Sequence, residues 1–294
     1  MASNASNSSS VGNSLVPTGL LVAGNPKTAP LTKLGFEEVT DSVAYRLVVC
    51  TTASEKSGKT TFALTAPTPI AAISTDAGTI EIAKGFRRKG RKIVLNQFRP
   101  ANEIIENEEK KAQAAAEREW ERMKASYTQV IEDTRFRSMV VDTATEMWEL
   151  CRLARFGKLT QVMPHHYGPV NAEFKALINK AYDREDLNVI LIHKVKKEYK
   201  ALGKDGKEVF TGKWERAGFG DLPYIVDVNV KHFFQKAVME GDNLIEEARF
   251  GIEIIDSRVN MLSVVGLRLE GELCNFAMMA ESMFPETMGA GFWE

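Results

Sequence analysis

The chain has little cysteine, no long apolar run and almost no net charge, and each scarcity removes a class of protein. Cys50, Cys151 and Cys274 stand far apart with no CxxC spacing, which argues against a disulfide framework or a zinc site and suits a reducing compartment. No apolar run approaches the roughly 20 residues that span a bilayer. The short apolar piece "SLVPTGLLVAG" has no basic residues before it, so a cleaved signal peptide is not expected and a cytoplasmic location is. A formal net charge of -1 supplies no global basic field, so any polyanion site must come from local clustering. No internal repeat is visible either.

What is present is enough for one large core: 294 residues, 44% hydrophobic and 26% charged. The Ser/Asn-rich opening "MASNASNSSSVGNS" cannot bury enough surface to offset its ordering entropy. Residues 1–40 are therefore expected to be loosely ordered, with a single domain over 41–294. From about Tyr45, the short apolar runs "RLVVC", "PIAAIS", "KIVLNQF", "RSMVVD" and "NVILIH" alternate with helical patterns. Strands apolar on both faces belong in a parallel sheet covered by helices, so the expected fold is three-layer α/β. After His193 the runs "VNVKHFF" and "RFGIEII" alternate apolar with polar residues, as antiparallel C-terminal edge strands do. Val170, Phe174, Leu177, Ile178 and Ala181 form one helical stripe, and Trp120, Met123, Tyr127, Val130 and Ile131 form another. The second stripe fills only the back half of residues 101–133. The Glu/Lys/Ala-rich front half is expected to project into solvent.

The stretch "VVCTTASEKSGKTTF" nearly fits the phosphate-loop pattern GxxxxGK[ST]. Gly58, Lys59 and Thr60 are in place, but the first glycine is replaced by Ala53. A strand ends at Cys50 and "GKTTFALTA" begins a helix, which is the setting the loop's chemistry requires. The loop residues Ser54, Glu55, Lys56, Ser57, Gly58, Lys59, Thr60 and Thr61 would cradle a nucleotide. Backbone N–H groups from about Lys56 to Thr61 meet the phosphates, aided by the helix dipole. Lys59 would reach the β- and γ-phosphates and the Thr60 hydroxyl would ligate Mg²⁺, with ATP as the nucleotide. If position 53 needed a left-handed backbone, alanine there would cost about 1 to 2 kcal/mol. In "FRSMVVDTATEMW" Asp142 ends a buried strand, where a carboxylate can hold Mg²⁺ through water. The competing role for Asp142 is a helix cap.

These features resemble the RecA-like P-loop ATPases over about Val43 to Phe234. "SEKSGKTT" looks like that family's phosphate loop and "MVVDTAT" like its Walker B strand. The resemblance implies that Asp76, ending the strand in "PIAAISTDAG", orients the attacking water, although a turn-forming aspartate fits the same position. It also implies that His193, ending "NVILIH", senses the γ-phosphate. Glu146 is the rival base, expected to face away from the phosphates. Compact phage ATPases of this type, which include single-strand annealing and recombination proteins, are the nearest in character. They imply single-stranded DNA as ligand in phage recombination or replication, a homo-oligomer, and a single-strand-binding protein as a further candidate partner.

The loops implied to line the DNA path are "RFGKLTQVMPHHYG" and the segment from His193 to Arg216. The second carries seven lysines and one arginine against four acids. Lys196, Lys197, Lys200, Lys204, Lys207, Lys213, Trp214 and Arg216 are its candidate DNA contacts, with Tyr199 and Phe210 interleaved as stacking surfaces. A lysine-rich exposed hairpin that merely avoids edge pairing has the same composition. "RRKGRK", from Arg87 to Lys92, is a second basic patch equally open to both readings. RecA-like sites usually take a cation from a neighbouring subunit, for which Lys194, Lys196, Lys213 and Arg216 qualify. Two alternatives stay open: a P-loop small-molecule kinase and a nucleotide-dependent scaffold that does not hydrolyse.

Overall fold

The computed structural model describes residues 43–107, 111–157, 164–201, 208–240 and 243–293. The expectation of a loosely ordered segment over 1–40 lies outside them. In chain order the elements begin with β1 (Val48–Thr52), α1 (Lys59–Ala63), β2 (Ile70–Ser74), α2 (Gly78–Arg88) and β3 (Ile93–Gln97). They continue with α3 (Ala101–Asn107), α4 (Ala112–Glu132), β4 (Ser138–Asp142), α5 (Ala144–Phe156), α6 (Pro164–Asn179) and β5 (Asn188–His193). A hairpin of β6 (Val195–Ala201) and β7 (Glu208–Arg216) follows, then β8 (Val228–Gln235), β9 (Val238–Glu240), β10 (Asn243–Glu246) and β11 (Arg249–Ser257). The last elements are α7 (Met261–Val264), β12 (Arg268–Glu270) and α8 (Phe276–Met283).

An eight-stranded sheet runs in the order β12-β11-β8-β1-β5-β4-β2-β3. β1 through β5 are mutually parallel where they pair, and β11 and β12 add antiparallel edges. "VNVKHFF" departs from the antiparallel expectation: as β8 it lies parallel to β1 and meets only β11 in antiparallel register. Its first three residues are buried, so its alternation marks the half that runs out toward the sheet's end.

Side-chain alternation along the strands divides the core into two sheets of contact. Val48, Cys50, Ile73 and Val141 face the layer of α3, α4, α5 and α6. Leu47, Val49, Ile70 and Val140 face α1, α2 and α8. Helices on both faces explain why β2, β4 and β5 are buried along their whole length. Among the described residues no helix is long and apolar enough to cross a membrane.

Two helices differ from expectation. The Ala-rich front of α4 does not project: Ala112, Ala115 and Ala116 are buried in the core. Small side chains there allow close approach to α5, and Gln113 Nε2 donates to the carbonyls of Ala154 and Arg155, both at 3.3 Å. The absence of large apolar residues thus signals tight packing rather than solvent. α1 is only five residues long, because Pro67 and Pro69 follow and cannot continue a helix.

Candidate functional site

The carboxyl ends of β1, β2 and β4 open onto one cavity of about 740 Å³, where parallel α/β sheets place their ligand sites. Its floor is the loop from Ala53 to Gly58. The left-handed positions in that loop are Lys56 (φ 56°) and Gly58 (φ 85°), whereas Ala53 has no positive φ. The conditional penalty for alanine at position 53 therefore does not arise. Gly58 is the glycine the loop requires, on two counts: its φ is one that L side chains rarely adopt, and a Cβ there would stand 3.1 Å from the Phe250 ring.

Lys59 folds over this loop. Its Nζ donates to the carbonyl oxygens of Ser54 at 2.6 Å and Ala53 at 3.1 Å. Partial burial lowers the ammonium's pKa, while Asp142, Glu55 and Asp76 pull it back up. The side chain is thus a cation at the mouth of the loop whose closest contacts are two neutral carbonyls, and a phosphate is a group that would supply its counter-charge.

Asp142 is almost fully buried at the end of β4. Its Oδ2 accepts from Thr60 Oγ1 at 2.8 Å and from Thr79 Oγ1 at 2.7 Å, and Ser74 Oγ donates to Thr79 Oγ1 at 3.0 Å. Burial raises the carboxyl's pKa against the lowering effect of the two hydroxyls and of Lys59. A carboxylate flanked by hydroxyl oxygens is a hard-oxygen donor set that fits Mg²⁺, which keeps several waters and phosphate ligands. No group of three His, Cys, Asp or Glu residues forms a metal cluster among the described residues.

Both candidate bases line the cavity. Asp76 is exposed, and its Oδ1 accepts from Gly78 N–H at 2.8 Å, so it caps a turn and faces the cavity at once. Glu146 does not face away as expected; its Oε1 pairs with Lys194 Nζ at 2.5 Å inside the cavity. His193 departs from its expected position in the opposite sense. It is fully buried behind the cavity wall, with Nδ1 3.0 Å from the Ala217 carbonyl, and burial pushes its pKa down to about 3. Lys194, the next residue, takes the wall position instead.

The hairpin residues separate into two groups. Tyr199, Phe210 and Trp214 form an exposed ladder with centroids 6.0 and 6.2 Å apart, and Lys197 Nζ lies 5.5 Å from the Phe210 centroid. Lys196 pairs with Glu215 and Lys200 with Glu198, each at 3.2 Å. Lys213 lies on the same strand as Trp214. Arg216 turns inward and donates to the carbonyls of Phe219 at 2.6 Å and Gly220 at 3.0 Å, which removes it from the DNA contacts and from the finger candidates. Lys204 and Lys207 lie outside the described residues. Sequence reasoning missed Thr79 and Phe250. Phe250 comes from the far end of the chain and reaches the loop only through the β8–β11 register, in which it sits opposite Phe234.

A phosphate loop closed by Gly58, its lysine and a hydroxyl-flanked strand-end aspartate in a three-layer α/β fold with a mainly parallel sheet define a P-loop ATPase. Residues 46–249 match the AAA domain family, and the chain belongs to it. No curated protein matches the sequence. Two solved structures are similar at low level. One is a prototypical ATPase from the type III secretion system of pathogenic bacteria (TM-score 0.38, 14% identity, covering 63% of this chain and 50% of that one). The other is the assembled ATPase EscN from the enteropathogenic E. coli type III secretion system (TM-score 0.38, 14% identity, 64% and 43%). The chain spans half or less of the length of these two proteins.

Proposed function

We propose that this protein is a RecA-like ATPase that hydrolyses ATP in concert with single-stranded DNA, as phage recombination or replication would require. The observation that carries the reading is one of position: the aromatic and cationic hairpin leaves the core at Lys194 and Val195, which are themselves part of the cavity wall. An exposed ladder of three aromatics beside Lys197 suits sequence-independent stacking of bases. A ligand held there sits on the strand that borders the nucleotide.

In this reading Lys59 leaves the Ala53 and Ser54 carbonyls to meet the β- and γ-phosphates. Thr60 and Asp142 would hold Mg²⁺, which would supply positive charge against the phosphates. Asp76 orients the attacking water, with Glu146 as the second carboxylate within the same cavity. Lys194, Lys196 and Lys213 are the remaining candidates for a cation donated to a neighbouring subunit's site in a homo-oligomer. Ala53 has no left-handed backbone, so it lends the non-hydrolysing alternative no strain to argue from. The test is ATP turnover with and without single-stranded DNA, in the natural protein and in Lys59→Ala. Turnover that rises with DNA and vanishes in the variant supports the reading. Turnover indifferent to DNA removes the DNA role, and phosphoryl transfer to a small molecule would identify a kinase.

A further inference from the structure

The hairpin β6–β7 forms its own two-stranded sheet, and its root at Lys194 and Val195 lies in the cavity wall. That root converges on one side chain. Thr145 Oγ1 accepts from the backbone N–H of Lys194 at 3.0 Å, at the start of the first stem. The same hydroxyl donates to the carbonyl of Ala217 at 3.3 Å, at the end of the second stem. Ala217 N–H in turn donates to the Lys194 carbonyl at 2.9 Å, closing the two stems on each other.

His193 completes the joint. A carbonyl can only accept, so the 3.0 Å contact from Nδ1 to Ala217 O fixes the Nδ1–H tautomer, and the same nitrogen is 3.3 Å from Thr145 Oγ1. Gly218 follows with φ +100°, a left-handed backbone that favours glycine. A Cβ on it would come within 3.4 Å of His193 Nδ1 and 3.5 Å of Thr145 Cα. Thr145 is buried in the first turn of α5, between Asp142, which ends β4, and Glu146, which holds Lys194 Nζ at 2.5 Å. The hydroxyl therefore ties both stems to the helix that starts beneath the cavity, while Thr145 itself is not part of the cavity lining.

We infer that Thr145 is a positioning residue that couples the state of the nucleotide cavity to the hairpin, by holding both stems to the start of α5. The inference deepens the proposed function and rests on it for the ligand, but not for the coupling. When a nucleotide draws on Glu146 or Lys194, the start of α5 and the first stem shift together through the Thr145 hydroxyl, and the second stem follows through Ala217. Without the hydroxyl the two ends keep their own chemistry and lose their connection.

Trp214 gives a direct reading, because it is 59% exposed on the hairpin while Trp120, Trp148 and Trp293 are buried. Acrylamide quenching of Trp214 is measured with and without Mg²⁺ and a non-hydrolysable ATP analogue, with Trp214→Phe as the blank. The natural protein should show a nucleotide-dependent change in quenching. Thr145→Val should bind the analogue within about twofold of the natural affinity yet lose that change, and Thr145→Ser, which restores the hydroxyl, should regain it. Thr145→Ala replaces the valine variant if a thermal melt shows that valine packs poorly. Single-stranded DNA stimulation of turnover should fall by about fivefold or more in Thr145→Val, the scale of an ordinary coupling free energy, with DNA affinity retained. A valine variant that responds like the natural protein, or a natural protein whose Trp214 ignores nucleotide, overturns the coupling. A Trp214 response that depends on Thr145 while DNA stimulates no variant upholds the coupling and overturns the DNA reading.

Discussion

The nucleotide cavity and the hairpin are built from the same kinds of residue but by opposite means. In the cavity Asp142 is buried and held by two hydroxyls, and Lys59 is half-buried over its own loop. Asp142 sits where water cannot screen it, so the position of a single atom decides what it does. On the hairpin the charges are exposed, and two of its lysines spend themselves on neighbouring glutamates, pairs that contribute little in water. The exposed aromatic ladder with Lys197 is what distinguishes this hairpin from a merely solvated one.

The contrast predicts that substitutions in the cavity act on turnover steeply and those on the hairpin shallowly. Lys59→Ala should lower ATP turnover by more than about a thousandfold, since its ammonium is the charge held over the Ala53 and Ser54 carbonyls at the phosphate loop. A steady-state phosphate-release assay checks it. Asp76→Asn should retain ATP affinity while turnover falls by roughly 10² to 10⁴. The Glu146–Lys194 pair makes Glu146→Gln the decisive companion: if only that variant loses turnover, the water-orienting carboxylate is Glu146 and Asp76 is a turn cap.

Acid should also weaken the sheet on either side of β1. His193 and His232 stand on β5 and β8, the two strands that flank β1, and burial holds each near a pKa of about 3, below the ordinary 6.5. A folded-state pKa below the unfolded one means that the unfolded chain binds more protons between these values. Stability is then full above pH 6.5 and falls as pH drops toward 3, by roughly 1.4 kcal/mol per pH unit for each histidine. Urea melts at pH 7 and pH 5 measure the slope. His232 packs edge-on against Phe62 at 5.2 Å and neither ring nitrogen has a hydrogen-bond partner, so His232→Phe should remove about half of the acid sensitivity.

How much was legible in the sequence follows the same divide. Gly58, Lys59, Thr60 and Asp142 were legible because their chemistry is local: a loop, its helix and a strand end each announce themselves within a few residues. The parallel sheet was legible because strands buried on both faces have no polar alternation. Phe250, Thr79 and the Glu146–Lys194 pair were not, because strand register and helix placement bring them together from distant segments. The front of α4 misled for a physical reason: alanine reads as a solvent-tolerant helix former, yet it is also what lets two helices approach closely.

On the hairpin, Trp214→Ala should weaken single-stranded DNA binding by about 1 to 3 kcal/mol, the scale of one stacked base. Lys197→Ala should act in the same direction. Lys196→Ala should change affinity least, because its charge is already shared with Glu215. Fluorescence anisotropy with a labelled oligonucleotide ranks the three, and equal losses for Lys196 and Trp214 would show that charge alone binds the DNA.

The smallest effect belongs to the position that looked most defective. Ala53 is buried and its backbone is not left-handed, so a glycine there relieves no strain. What Ala53→Gly adds is freedom to the unfolded chain, worth roughly 0.5 to 1 kcal/mol against stability. ATP affinity should stay within about threefold while the midpoint of thermal unfolding falls slightly. Gly58→Ala is the contrasting case, because it must place a Cβ at φ +85° and against Phe250; its affinity loss should exceed that of Ala53→Gly by about tenfold or more. Isothermal titration of both variants with ATP and Mg²⁺ decides the matter. A large gain in affinity for Ala53→Gly would mean that the loop changes its backbone at position 53 when nucleotide enters, and that alanine restrains it.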